Sequence, residues 1–205
     1  MLLIIVAINK AVFAQKEISH YVLPEFVKGK VLMKTGQTTE ALLNYNTVTE
    51  EMIFMENNKP MALDRIQEID TVFVNTKKFI PVDNVFYEML TNTIVPLFIQ
   101  HKSVFIPPGN ETGFGTTQTS AVTNFNDMKS GGTFYRLKLP DEFKFNAKDA
   151  YWLKNNGKYY KVSSVQDVQN VFINKSKEVA DFAKTNKIKF KNESDVIKLI
   201  EFCNR

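Results

Sequence analysis

The sequence contains one cysteine and two histidines in 205 residues. A single cysteine excludes an internal disulfide framework and a cysteine-based zinc site. His20 and His101 leave little material for histidine-centred catalysis or a histidine metal site. A long hydrophobic run is also missing. The apolar stretch Leu2–Ile8 falls far short of the roughly 20 residues a spanning helix needs, so a multi-span membrane protein is excluded. What is present is ordinary for a globular chain: 44% hydrophobic and 23% charged residues. The length fits one domain, or one domain with a small appendage. Phenylalanine is abundant, with 17 Phe beside 7 Tyr and 1 Trp, so much of the core is expected to be built from rings.

Met1–Ala14 reads MLLIIVAINKAVFA and is followed by Gln15. A short apolar stretch that ends in a small residue is the pattern of a secretory signal peptide. No basic residue precedes the run and Lys10 interrupts it; a start upstream of Met1 would account for both. The alternative is an N-terminal strand or buried helix. Cleavage after Ala14 would leave a mature chain in the periplasm or outside the cell, with no transmembrane segment. Cys203, near the C-terminus, cannot serve as a lipid-anchoring cysteine after the leader. It follows Val196, Leu199 and Ile200 at helical spacing and is expected to be buried.

The formal net charge of +4 is uneven. Residues 15–106 balance at −2, 107–163 at +3 and 164–205 at +2, with Lys10 supplying the remainder. Acidic residues are interleaved throughout. A concentrated basic face, the usual mark of a nucleic-acid binder, is therefore not expected.

Residues 15–106 read as a series of short strands. Val27, Val31 and Met33 alternate with lysines, Met52–Met55 is a short apolar strand, and Asp64 could cap one helical turn before Ile69. Thr71–Val74 and Lys78–Val82 flank a turn, and Val85, Tyr87 and Met89 alternate as another strand. Ile94–Ile106 continues the pattern, with Pro96 at its bent start. Residues 107–132 form a polar Gly/Ser/Thr loop. Within it, Gly113–Thr117 lacks the lysine and the strand-then-helix context of a phosphate loop. No cofactor is implied.

Residues 133–163 return to strand, first at Phe134–Leu139. Asn156-Gly157 then makes the strongest hairpin signal in the chain. Residues 164–205 read as three short helices, with Ser164 and Asp167 as a relaxed capping box and Asn192 with Asp195 opening the last. The expected fold class is α+β: an antiparallel meander, either a small barrel or a half-open sheet, followed by a C-terminal helical segment.

Candidate chemistry is thin. Glu50-Glu51 and Asp141-Glu142 are adjacent pairs, whose side chains diverge on a strand. Glu88 alternates outward from Val85, Tyr87 and Met89, and His20 lies near the mature N-terminus. His101 in a strand is expected to face solvent. A hydrolase would need a cleft where Glu88, Asp83 or His101 converge. The one set with binding value is aromatic: Tyr135, Tyr151, Trp152, Tyr159 and Tyr160, beside Arg136. Tyr and Trp near basic residues are common material of recognition surfaces for protein or glycan. The plainer alternative is that the C-terminal helices cover this face.

The ending NKSKEVADFAKTNKIKFKNESDVIKLIEFCN resembles that of a family of small exported proteins of unknown function from Bacteroidota-type bacteria. Gly29–Met33, Lys78–Val82, Phe86–Glu88, Gly115–Ala121 and the hairpin around Gly157 are similar as well. The resemblance implies export and no catalytic, cofactor or metal-binding residue. The function expected is an exported, non-enzymatic binding or structural module of the cell envelope with a protein partner. The alternative is a small-ligand carrier with an aromatic-lined pocket.

Overall fold

A computed structural model describes residues 20–106, 110–112, 115–117, 135–136 and 144–205. The expected leader, Met1–Ala14, lies outside the described residues, as does most of the stretch 107–132.

In chain order the strands are β1 (Val27–Met33), β2 (Thr38–Asn46), β3 (Glu51–Glu56), β4 (Lys59–Ala62), β5 (Ile69–Val74), β6 (Lys77–Val82), β7 (Val85–Met89) and β8 (Leu97–Gln100). They are followed by β9 (Ser103–Ile106), β10 (Asn110–Thr112), β11 (Gly115–Thr117), β12 (Lys144–Ala147), β13 (Ala150–Asn155) and β14 (Lys158–Val162). Three helices close the chain: α1 (Val165–Val171), α2 (Ser176–Thr185) and α3 (Glu193–Cys203). Ten strands form one antiparallel sheet in the order β14-β13-β8-β7-β6-β5-β1-β2-β3-β4. It does not close, so β14 and β4 are its edges. Of the two expected forms, the half-open sheet is the one observed. β9 leaves it to pair with β12, and β10 pairs with β11.

Local chemistry sets the turns. Asn156 and Gly157 both take positive φ, 49° and 77°, between Asn155 and Lys158. This is the two-residue turn that matches strand twist. Asn57 and Asn58 do the same between β3 and β4, at 50° and 61°. Asn44 lies buried in β2 and pins the segment before β1. Its Oδ1 accepts from Leu23 N at 3.0 Å, and its Nδ2 donates to Leu23 O at 2.8 Å.

Two hydrophobic cores share the sheet. One lies on one face of β1, β2, β3, β5, β6 and β7 and contains Leu43, Tyr45, Met52, Val72, Phe79 and Phe86. The other joins Leu97, Leu153 and Val162 of the sheet to Val168, Val179, Val196, Leu199 and Ile200 of the helices. Cys203 is buried in this second core, where loss of water pushes its thiol up to about 11. Ser164 caps α1 by accepting from Asp167 N at 3.2 Å, and Asn192 caps α3 by accepting from Ser194 N at 3.0 Å. Asn204, just past α3, accepts from Val95 N at 2.8 Å and ties the last helix to the β7–β8 connection.

Three local expectations change. Asp64 does not cap the short helical turn at Ile66–Glu68. Its side chain faces Arg65 Nε at 3.7 Å on the surface, and Arg65 occupies the cap position in left-handed conformation, φ 47°. Ile94–Ile106 is not one strand. It breaks at His101-Lys102, where Lys102 N donates to Asp149 Oδ1 at 3.0 Å and the chain turns toward β12. Tyr135 and Arg136, the described residues of the expected Phe134–Leu139 strand, form a tight turn and bend.

Gly29 is required by proximity. A Cβ there would lie 2.5 Å from the Phe73 carbonyl oxygen and 2.8 Å from Leu43 Cδ1. The Gly29→Ala variant is expected to lose about 1–3 kcal/mol through forced separation of β1 and β5. Lys28→Ala, on an exposed neighbour, should stay within about 0.5 kcal/mol of the parent. Urea midpoints of the two variants check this, and equal midpoints would refute it.

Candidate functional site

Paired residues in antiparallel strands share a face, and neighbours along a strand alternate. One row on the face that carries both cores therefore runs Phe79, Glu88, Ile99, Tyr151, Val162. This overturns the outward placement of Glu88. In β7 it is Phe86 and Glu88 that face the core, and Val85, Tyr87 and Met89 that face away. Glu88 is only 5% exposed. Its Oε1 and Oε2 accept from Lys77 Nζ at 2.8 and 3.0 Å, and Oε2 also pairs with His101 Nε2 at 2.6 Å.

His101 likewise does not face solvent. Its side chain is 13% exposed, with its ring 6.3 Å from those of Tyr45 and Phe79. His20, too, is buried. Burial alone would push the Glu88 carboxyl up. Hydrogen bonds from His101 and Lys77, reinforced by their charges, outweigh it and hold the carboxyl below its usual value.

Glu88 and His101 thus meet, but as an ion cluster whose acceptor oxygens are already engaged. Asp83 is elsewhere, exposed in the β6–β7 turn. It lines an open concavity of about 340 Å³ with Lys34, Ile69, Asp70 and Ile80. A second concavity, about 320 Å³, lies between α2 and α3 over Phe182 and Phe202. Neither includes Glu88 or His101. Among the described residues no group of three or more His, Cys, Asp or Glu side chains is disposed to hold a metal ion.

The opposite face of the sheet carries the aromatic cluster. Trp152 and Tyr159 from β13 and β14 meet Tyr87 of β7 and Phe98 of β8. The Tyr87 and Trp152 rings stack at 5.5 Å, and Tyr159 stands edge-on to Tyr87 at 5.7 Å and to Phe98 at 5.5 Å. The Trp152 ring is fixed from its polar end. Nε1 donates to Gln100 Oε1 at 3.2 Å, and Gln100 Nε2 donates to Glu50 Oε2 at 2.6 Å. Glu50, which also binds Lys102, holds a left-handed backbone at φ 56°. Burial, with the Asp83 and Glu50 carboxylates, pushes the Tyr87 hydroxyl up to about 12; burial and Asp83 also raise Tyr159. Both hydroxyls stay protonated at neutral pH.

The six residues singled out from the sequence occupy three places. Trp152 and Tyr159 belong to the face turned away from the helices. Tyr151 packs on the helix-side core, and Tyr160, on the same side of the sheet as Leu153, is exposed. Tyr135 is half-buried, its hydroxyl donating to Glu51 Oε2 at 2.9 Å and its carbonyl accepting from Tyr21 at 2.9 Å, while Arg136 beside it is exposed. Burial and Glu51 push the Tyr135 hydroxyl up to about 12. Tyr87 and Phe98 complete the cluster. Alternation within β7 placed Tyr87 inward, and nothing local in the sequence couples Phe98 to Trp152.

No protein-family model, curated protein or solved structure matches the chain. The resemblance of the C-terminal stretch to exported Bacteroidota proteins has no support from these comparisons.

Proposed function

We propose that this chain is a non-catalytic recognition module of the cell envelope, exported by an N-terminal leader, that docks a protein partner on the sheet face its helices leave uncovered. The observation that carries this reading is Trp152. It is half-buried on that face, stacked on Tyr87 and held in one orientation by Gln100. A large ring fixed before binding loses little entropy when a partner covers it, and tryptophan is among the residues that most often dominate interface energy. Export rests on the Met1–Ala14 pattern.

The carrier alternative needs an apolar internal cavity. The core face of the sheet is instead filled by Leu43, Tyr45, Phe79 and Phe86, all fully buried. The polar cluster at Glu88 favours no enzyme either, since its oxygens are already bound.

Photo-crosslinking in cells tests the reading. A crosslinker at Lys78, on the face turned away from the helices, should give a discrete protein adduct that disappears in Trp152→Ala. A crosslinker at Ile173, 75% exposed on the helical side, should give none. Identical adducts from both positions, or none from Lys78, would remove the assignment. Mass spectrometry of the mature N-terminus tests export, and an intact Met1 in the cytoplasm would end it.

A further inference from the structure

The face turned away from the helices has a charge pattern as well as rings. Strand register places Lys30, Phe73 and Lys78 in one transverse row across β1, β5 and β6. A second row runs Met89, Phe98, Trp152, Lys161 across β7, β8, β13 and β14. Lys154 and Tyr159 are paired one step further along. Two of these lysines lie over rings: Lys30 Nζ is 5.4 Å from the Phe73 centroid, and Lys154 Nζ is 5.3 Å from that of Tyr159. Lys30, Lys78, Lys154 and Lys161 make no ion pair among the described residues. Glu40, opposite Lys30, and Asp83, in the β6–β7 turn, are carboxylates at the margins of the rows. Among the described residues the face is thus an apolar floor carrying ammonium groups with no carboxylate in ion-pair contact. Lys30 and Lys78 straddle β5, about 10 Å apart by strand spacing.

Resting on the recognition reading above, we infer that the partner presents an acidic polypeptide segment to this face, its carboxylates meeting Lys30, Lys78, Lys154 and Lys161 and its aliphatic stems lying over Trp152 and Tyr159. Charge complementarity selects an anionic partner. The state of the rings selects among anionic partners. Bases and sugar rings need an open aromatic face to stack on. Here Tyr87 takes one face of Trp152, and Lys154 lies over Tyr159. Carboxylate side chains need no such platform; they draw on ammonium groups already arrayed across the strands.

Trp152 is the only tryptophan, so its emission reports on this face alone. The full chain is titrated with poly-L-glutamate, polygalacturonate and oligothymidylate at low and physiological salt. The expected result is that poly-L-glutamate perturbs the Trp152 emission at lower concentration than the other two polymers, with an affinity that falls as salt rises. Lys154→Glu with Lys161→Glu should weaken it at least about tenfold, consistent with loss of charge complementarity. Lys177→Glu with Lys184→Glu, exposed on α2, should leave it within about twofold.

An unperturbed emission, an equal loss in the α2 pair, or tighter binding of either other polymer would overturn the inference. Lys154→Gln with Lys161→Gln repeats the test if charge reversal unfolds the protein, and an unchanged affinity there also overturns it. If the Lys78 crosslink persists unchanged in the Lys154→Glu, Lys161→Glu background, the acidic partner is refuted while the recognition reading stands. If the crosslink is absent in the parent chain, the recognition reading itself has failed.

Discussion

Replacing Glu88 by alanine is expected to remove about 3–5 kcal/mol of unfolding free energy, among the largest single-site losses in this chain. The loss comes from what remains. His101 would keep its place beside Phe79 and Tyr45, and Lys77 its place on β6, without the carboxylate that both bind. Lys77, with 30% of its side chain exposed, can turn toward water, which places the cost at the lower end of that range. Replacing the whole cluster should behave differently. Glu88→Leu with Lys77→Met and His101→Phe trades buried charges for apolar volume and should recover most of the loss. Urea unfolding of both variants decides it: a mild Glu88→Ala phenotype would mean that water already reaches the cluster.

The same carboxyl sets a pH dependence. Its folded-state value lies below the ordinary 4.5. A carboxyl depressed in this way adds stability that is complete above its unfolded value and is lost as pH falls through its folded value. The parent chain should therefore lose this contribution below about pH 4.5. Glu88→Gln, with nothing to protonate, should show a shallower decline between pH 5 and 3. Parallel declines would assign the acid sensitivity to other carboxylates.

Leu199→Ala is the second large effect. Leu199 is fully buried where α3 meets the sheet, and truncation there should cost about 2–5 kcal/mol. For a chain of this size that is a fall in Tm of roughly 4–20 °C. The transition should stay single, because the row Phe79, Glu88, Ile99, Tyr151, Val162 runs through both cores on shared strands. Far-UV circular dichroism and Trp152 fluorescence should melt together. Separate midpoints would show that the helices can leave the sheet while the strands persist.

What was legible in the sequence was local. The Asn156-Gly157 hairpin, the cap at Ser164, the helix opening at Asn192 and the burial of Cys203 each depend on a few neighbouring residues, and each is observed. The face of β7 was not legible. Val85, Tyr87 and Met89 form a more apolar alternation than Phe86 and Glu88, so reading β7 alone turns it the wrong way. Its orientation is decided by pairing with Phe79 and Ile99, and it leaves a carboxylate inside because a histidine and a lysine arrive from β6 and from beyond β8. The aromatic cluster was half legible for the same reason. Trp152 and Tyr159 share a hairpin, whereas Phe98 joins them through the pairing of β13 with β8, more than fifty residues away in sequence.

An open sheet leaves two rims of backbone groups able to capture another strand, the usual route to runaway self-association. This fold blunts both. The β4 rim is only four residues long and contains Pro60, which has no amide hydrogen to offer an incoming chain. The β14 rim carries Lys158 and Lys161, which would meet like charge in an edge-to-edge copy, and it leads within a few residues into α1. Both rims of the ten-stranded sheet thus carry a feature that opposes pairing with a second copy.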